Sequence, residues 1–384
     1  MADALAKLTD TATTDAATAD LEAQMYGVEV DVLELIAESL GKVTEDTTYA
    51  DVAEMVAQDM PRISKLLEDA GITASEFIEQ LYDEMAELND EWAAEYYEAR
   101  GLTQAKVTED AALSAALKSG KFTVENGIVN LCNSSVAMIM DADGNSVPIA
   151  DAYRQAVNRV VRAMVGGETT KAKAVQDAVR ALSNSGILVQ YGSGQTRELY
   201  SAVRQNVEEG YRTTMQSLRD EQGRKFGADG VEISAHSQCA PDHQEIQGRQ
   251  FTNAEFEKLN KSLDRPIGKY NCRHMTFPVI VGVSSKTYSK DDRDEMIAAS
   301  NKKVGYTDMY GKRKTCTAYE FTQVQRQLET RIRKLRTDAR LLNAAKQGSD
   351  DVDALIDKLT DRYKSISRQA KVRTRMERTG IDAD

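Results

Sequence analysis

The chain has 384 residues, of which 29% are charged and only 6% are aromatic. This length suffices for two or three domains, and the composition favours a helix-rich protein over a β-sandwich. No apolar run approaches the roughly 20 residues that a membrane helix needs, and residues 1–20 lack the apolar core of a secretory signal. Four unevenly spaced cysteines indicate a reducing compartment instead of a disulfide framework.

The formal net charge of −12 is unevenly distributed. Residues 1–100 carry 25 acidic and 5 basic side chains, whereas residues 301–384 carry 20 basic and 12 acidic ones. An acidic beginning and a basic end suggest two different partners, or one partner that meets only the basic end. The alternative is that the basic residues serve solubility and pack against an acidic neighbour, including residues 1–100 of the same chain.

The first 225 residues divide into an arm and a helical region. Residues 1–20 hold little to bury, so we expect a disordered acidic arm. Residues 21–225 are predicted to be a helical domain, in which Pro61 interrupts one helix and Thr73-Ala-Ser-Glu76 caps the start of the next. Gly192-Ser-Gly194 lacks the frame of a phosphate loop and predicts a turn before a helix. No internal repeat of solenoid length is recognised.

The pattern changes at Phe226, where residues 226–290 predict a small α+β module. Two short strands are expected, at 231–235 and 276–281, with a helix near 253–263 between them. A module of this size often needs a covalent or metal staple.

All three histidines of the chain and two of its four cysteines lie in this module. Imidazole and thiolate are the usual ligands of zinc. The candidate metal ligands are His236, His243, Cys272 and His274, with Cys239 as a substitute ligand. The spacing between them is irregular for a zinc motif, so the alternative is a hydrogen-bonded network in which the imidazoles satisfy buried polar groups.

Residues 291–384 are predicted to form a basic helical C-terminal region. Apolar residues recur every seven positions, as in a long helix that packs on a partner helix, at Phe321, Leu328, Leu335 and Leu342. The chain ends in a run of basic side chains that could touch DNA phosphates without reading bases, namely Arg368, Lys371, Arg373 and Arg375. The predicted fold class is therefore mostly α (α+β).

Several sequence blocks resemble the phage minor capsid protein family of type 2, which is itself similar to the head-morphogenesis proteins of tailed phages. The resemblance runs from about Ile72 to about Gly380. Its blocks are Tyr191-Gly-Ser-Gly194, Val231-Glu-Ile-Ser-Ala-His236, His243 followed by Gln247-Gly248, Asn271-Cys272-Arg273-His274, Tyr310-Gly-Lys312 and Tyr319-Glu-Phe-Thr-Gln-Val-Gln-Arg326. One departure is Gln238-Cys239-Ala240-Pro241, where the family usually has an arginine and no cysteine.

The resemblance implies a structural, non-enzymatic component of the virion. Such proteins associate with the portal vertex and inner capsid and act in head assembly and in DNA packaging or delivery. The implied partners are portal and capsid proteins in a larger complex, together with packaged phage DNA and without a membrane. The resemblance also implies that the protein is made in the cytoplasm of the bacterial host. Zinc is the one cofactor that the residues suggest.

Two other functions remain open on the residues alone. The first is a nucleic-acid-binding protein with a structural zinc site. The second is a zinc-dependent hydrolase or nuclease, which would need an open metal position and a general base such as Asp242 or Glu245.

Overall fold

A computed structural model describes most of the chain. The described residues are 11–98, 101, 105–141, 143–167, 169–237, 239–268, 272, 274–308 and 311–380. Helices make up most of them, and the strands form small antiparallel sheets, which confirms the predicted fold class. No helix within these ranges is long and apolar enough to cross a membrane.

Ten helices and nine strands are assigned within the described ranges. The helices are α1 (Thr11–Lys42), α2 (Tyr49–Glu98), α3 (Ala111–Leu131), α4 (Ile149–Val165), α5 (Lys171–Ser185), α6 (Leu199–Lys225), α7 (Asn253–Ser262), α8 (Lys290–Asn301), α9 (Ala318–Ala344) and α10 (Asp350–Ala370). The strands are β1 (Ala137–Met140), β2 (Ser146–Pro148), β3 (Leu188–Gln190), β4 (Thr196–Glu198), β5 (Gly230–Ile233), β6 (Gln250–Thr252), β7 (Thr276–Val279), β8 (Lys303–Thr307) and β9 (Arg313–Thr317).

The arm predicted at residues 1–20 is helical in its second half. Residues 1–10 lie outside the described residues, and α1 already begins at Thr11. Residues 11–20 hold four alanines, the best helix former, and they lead directly into the buried face that starts at Leu21 and Met25. Continuity with this buried face explains why these residues are helical instead of disordered.

Helix α2 contradicts two local predictions. It continues through Pro61 to Glu98, and Thr73 lies within it instead of capping a new helix. The Thr73 hydroxyl donates to the carbonyl of Asp69, four residues earlier, which is the bond of a helix-interior threonine. An apolar face that includes Ile63 and Leu67 is buried beyond the proline and outweighs the lost hydrogen bond.

Contacts divide the chain into two compact units, each assembled from distant segments. Of the described residues, unit 1 comprises those in 11–18, 77–125 and 206–323, and unit 2 comprises those in 19–76, 126–205 and 324–380. The four contiguous domains expected from the sequence, with limits at 20, 225 and 290, remain predictions.

Unit 1 contains the α+β module. Its three-stranded sheet has the order β6-β5-β7, and the predicted strands and helix are present as β5, β7 and α7. The sequence did not indicate β6, which is only three residues long. Pro278 is accommodated in β7 because β7 is an edge strand of this sheet. Strands β8 and β9 form a separate two-stranded hairpin.

Unit 2 contains a four-stranded sheet with the order β2-β1-β3-β4. It consists of two hairpins, and the glycines in their turns, Gly144 and Gly194, are 50 positions apart. The helix after each hairpin starts with related residues, Ala152-Tyr-Arg-Gln-Ala-Val157 and Ala202-Val-Arg-Gln-Asn-Val207. The chain thus contains an internal repeat of hairpin and helix, a feature absent from the sequence-based predictions.

The basic helix α9 lies against the acidic helix α1 within unit 2. The guanidinium of Arg340 pairs with Asp31 at 2.6 Å and with Glu34 at 2.8 Å, and Arg333 lies 3.5 Å from Glu22. Part of the basic C-terminal charge is therefore neutralised by acidic residues near the start of the chain, as the packing alternative expects.

Candidate metal centre

The candidate ligands are positioned by the loops around the sheet of unit 1. His236 follows β5, and His243 ends a short 3-10 turn, Pro241–His243. Cys272 and His274 lie immediately before β7. Because β5 pairs directly with β7, segments that are more than 25 residues apart in sequence are brought together.

Three of these side chains form one buried group. The Cys272 Sγ lies 3.5 Å from His243 Nδ1 and 3.4 Å from His274 Nδ1, and one ligand atom from each residue lies within 4.8 Å of the others. In a tetrahedral zinc site the bond lengths to sulfur and nitrogen place two such ligand atoms about 3.6 Å apart. The two sulfur–nitrogen separations therefore match those around one metal ion, and the three residues could hold such an ion.

The His243 ring is oriented by a contact on its far side. Its Nε2 donates to the carbonyl of Arg265 at 2.6 Å, so Nδ1 is the ring nitrogen that faces Cys272. Burial acts to lower the pKa of His243, but the hydrogen bonds with Cys272 and with the Arg265 carbonyl raise it above its ordinary value. Arg265 is itself held by a forked ion pair with Asp242. Burial tends to raise the pKa of Asp242. The guanidinium of Arg265, followed by His243, nevertheless keeps this pKa below its ordinary value. Such outer contacts are typical of imidazoles that bind metals.

The His274 ring is neutral and has the same orientation towards Cys272. Burial, followed by the nearby His236 and His243, lowers the pKa of His274 to about 2. Its Nε2 donates to Gln247 Oε1 at 3.2 Å, so its Nδ1 carries the lone pair that faces Cys272. A neutral imidazole with a free lone pair is the form that binds a metal.

The two cysteines of the module differ in acidity. Burial tends to raise the pKa of Cys272, but hydrogen bonds with His243 and with the backbone lower it below the ordinary value. Burial raises the pKa of Cys239 to about 12. Cys272 is therefore suited to be the thiolate ligand, whereas Cys239 remains a thiol.

His236 and Cys239 lie next to the group but are not part of it. The ring of His236 stacks on that of His274, with centroids 4.4 Å apart, and its Nδ1 contacts the carbonyl of Ser237. The Cys239 Sγ lies 3.5 Å from His274 Nε2, the nitrogen that faces away from Cys272. The structure thus brings together three of the four predicted ligands. It places Cys239, the predicted substitute ligand, on the side of the His274 ring that faces away from Cys272.

The sequence did not predict which residues orient the candidate ligands. Arg265 acts through its backbone carbonyl, which leaves no trace in the sequence. Gln247 belongs to one of the blocks that carried the family resemblance, and this was the one signal for it. Asp242 was considered as a general base but pairs with Arg265 instead, and Glu245 is exposed beside Arg249. Within the described ranges, no carboxylate joins the three ligands.

The four predicted DNA-contact residues lie at and after the end of α10, in unit 2. The backbone here is fixed, because Gln325 donates to the carbonyl of Arg373 at 3.0 Å and the amide of Arg375 donates to the Tyr363 hydroxyl at 2.7 Å. The side chains of Arg368, Lys371 and Arg373 are exposed and form no ion pair with any described residue. These three cations are accessible to an external anion.

Comparison with known proteins identifies the family. Residues 23–378 match the family described as phage minor capsid protein 2, and the chain belongs to this family. No curated protein and no solved structure matches it. The chain is therefore a structural protein of a phage head, a component of the virion that assembles with other head proteins.

Proposed function

We propose that this minor capsid protein works inside the head, at the portal vertex, in head assembly and in DNA packaging or delivery. Family membership over residues 23–378 is the observation that carries the proposal. The exposed basic side chains at the C-terminal end support it, because an internal head protein must lie close to densely packed phosphate.

An inventory of purified particles tests this role. Mass spectrometry of mature heads and of assembly intermediates should find the chain at far fewer copies than the major capsid protein. Crosslinking in intact particles should join it to the portal protein. If the chain is absent from both kinds of particle, or is joined only to the outer shell, the proposed location is wrong.

We further propose that a zinc ion bound by His243, Cys272 and His274 holds the α+β module together in a structural role. The supporting observation is the geometry of the three residues: the Cys272 Sγ lies 3.5 Å and 3.4 Å from the Nδ1 atoms of His243 and His274, close to the separation in a tetrahedral zinc site. The apolar core around Cys272 is small: among the described residues Ile233 and Ile267 are its other buried members, and four half-buried apolar side chains pack against them. A metal would add stability that so small a core does not supply.

We also propose that the end of the chain contacts packaged DNA through Arg368, Lys371, Arg373 and Arg375. Arg368, Lys371 and Arg373 are exposed cations, and such cations suit phosphates, which are bound by charge without a sequence requirement. Packing against acidic residues, the competing explanation of the basic charge, is realised for α9 by Arg340 and Arg333, whereas Arg368, Lys371 and Arg373 pair with no described acidic residue.

A further inference from the structure

Three hairpins in this chain share one turn. In the first, the amide of Asp141 donates to the carbonyl of Asn145 and the amide of Gly144 donates back to Asp141. The same two bonds join Tyr191, Gln195 and Gly194 in the second hairpin, and they join Asp308, Lys312 and Gly311 in the third. The glycine in each turn has a φ near +80°: 82°, 83° and 79°. The hairpin β8–β9 is thus built on the same turn as the repeated pair β1–β2 and β3–β4.

The two repeated hairpins pair with each other. Strand β1 runs antiparallel to β3, with Met138 opposite Leu188 and Ala137 opposite Val189. Met138 and Leu188 each lie six residues before the turn glycine, so they are equivalent in the repeat. The two hairpins therefore meet about a local twofold axis, with the first strand of each hairpin at the centre of the sheet.

Gly305 is the equivalent residue in the third hairpin, because it lies six residues before Gly311. The amide of Asp308 donates to Lys312 and the amide of Ala318 donates to Lys302, so the even-numbered residues of β8 face β9. Backbone groups alternate in direction along a strand, and the odd-numbered residues Lys303 and Gly305 therefore point to the outer edge. Among the described residues, neither has a backbone hydrogen-bond partner there.

We propose that β8 pairs with β8 of a second copy of this chain, about a twofold axis at Gly305, in the way that β1 pairs with β3. Such pairing places Gly305 opposite Gly305, Val304 opposite Tyr306, and Lys303 opposite Thr307. Two apolar pairs then flank the axis, and no two like charges face each other across it. The interface is isologous, as in most homodimers, and it completes a four-stranded sheet of the same order as β2-β1-β3-β4.

The hairpin also has a physical reason to acquire this partner. The hairpin packs on α9 through Tyr306 and Phe321, but the outer edge of β8 is open, and an open edge is a template for another strand. The second copy is the favoured occupant because β8 is complementary to itself in the register that the chain already uses once.

The test compares two proline substitutions on opposite edges of the same hairpin. Gly305→Pro removes only the outward amide of β8 and leaves every bond to β9 intact. Thr315 lies opposite Gly305 on β9, so its amide points to the other edge. Thr315→Pro is the matched control, and the first hairpin already carries a proline, Pro148, at the equivalent position opposite Met138.

Sedimentation velocity of the full-length chain, up to about 100 µM, measures the association. We expect a monomer–dimer equilibrium whose dissociation constant rises about tenfold or more in Gly305→Pro and is unchanged in Thr315→Pro. Oxidation of Gly305→Cys should yield a disulfide-linked dimer beyond the wild-type background, because paired Cα atoms lie about 5.5 Å apart. Thermal unfolding of each variant confirms that it is folded.

Three outcomes would overturn the proposal. A wild-type chain that stays monomeric over this range has no β8 pairing. A dimer that both proline variants weaken equally, or that neither weakens, is formed by another surface. Crosslinks from position 305 in purified particles that lead only to a different head protein would assign the edge to that protein.

Discussion

The Sγ of Cys272 lies 3.5 Å from the Nδ1 of His243, the ring nitrogen that faces the thiol because the opposite nitrogen donates to the Arg265 carbonyl. This contact can be either one edge of a metal site or a hydrogen bond between thiol and imidazole. The two possibilities differ in what happens when the thiol is replaced.

Cys272→Ser should remove bound zinc and lower the thermal stability of the α+β module together. A serine hydroxyl is a poor zinc ligand, although it can still hydrogen-bond to His243. We expect the free energy of unfolding to fall by about 2 kcal/mol or more, measured beside zinc content by elemental analysis. Cys239→Ala is the control: it deletes a buried thiol at about 1 kcal/mol and should keep the zinc. Wild-type protein with less than about a tenth of an equivalent of zinc would instead indicate a hydrogen-bonded network.

His236→Ala distinguishes between two candidate zinc sites: one with three ligands, His243, Cys272 and His274, and the one predicted from sequence, which adds His236 as a fourth. We expect its zinc content to stay near the wild-type value, because His236 stacks on His274 and lies outside the ligand group. His243→Ala should lose the zinc. If both variants lose it equally, His236 is a ligand and its ring turns on metal binding.

The sequence predicted the module better than it predicted the helices. Strands β5 and β7 were recognisable from apolar runs, and the cluster of histidines was visible because the chain has only three. The capping pattern at Thr73 was misleading, because burial of one continuous face of α2 outweighs a local signal.

Two features could not be predicted from residue types. The orientation that turns the Nδ1 of His243 towards Cys272 depends on the Arg265 carbonyl, which is a backbone group 22 residues away. The repeat escaped recognition because the two copies share Ala, Arg, Gln and Val in one short block, while their turns share only hydrogen bonds and a glycine conformation. Both features depend on the positions of backbone groups, which residue types alone do not reveal.

Glu29 is a buried carboxyl in unit 2 whose protonation should make stability depend on pH. Burial, followed by the nearby Glu198, raises its pKa to about 8, although it accepts hydrogen bonds from the amides of Ile187 and Tyr200 and lies near Arg333. The folded chain thus holds a proton that the unfolded chain releases near pH 4.5. The contribution of this group to stability is full below pH 4.5 and is lost as the pH rises through about 8.

Glu29→Gln should therefore stabilise the protein at alkaline pH. The amide mimics the protonated carboxyl and keeps an oxygen for the two backbone donors. We expect a gain of about 1 kcal/mol or more at pH 9 and almost none near pH 4, measured by urea unfolding across this range. Glu38→Gln, a half-exposed change on the same helix, is the control and should leave the pH profile unaltered. A gain that is equal at all pH values would show that Glu29 does not titrate as described.

Neutralising the end of the chain should weaken its binding to DNA and flatten the dependence on salt. The substitutions are Arg368→Gln, Lys371→Gln, Arg373→Gln and Arg375→Gln together. Each cation that contacts a phosphate contributes about −0.9 to the slope of log affinity against log salt, so the slope should become less steep by up to about 3.6. Fluorescence anisotropy with duplexes of unrelated sequence measures this slope, and the same change is expected for each duplex.

The matched control for this prediction removes the same charge from unit 1, by changing four exposed lysines to glutamine: Lys258, Lys261, Lys286 and Lys290. Two of them form only exposed ion pairs, Lys261 with Glu257 and Lys290 with Asp294, so little stability is at stake. If DNA responds to net charge alone, both variants will flatten the slope equally and the C-terminal segment will not be the contact. A slope altered only by the C-terminal substitutions locates the phosphate contacts after α10.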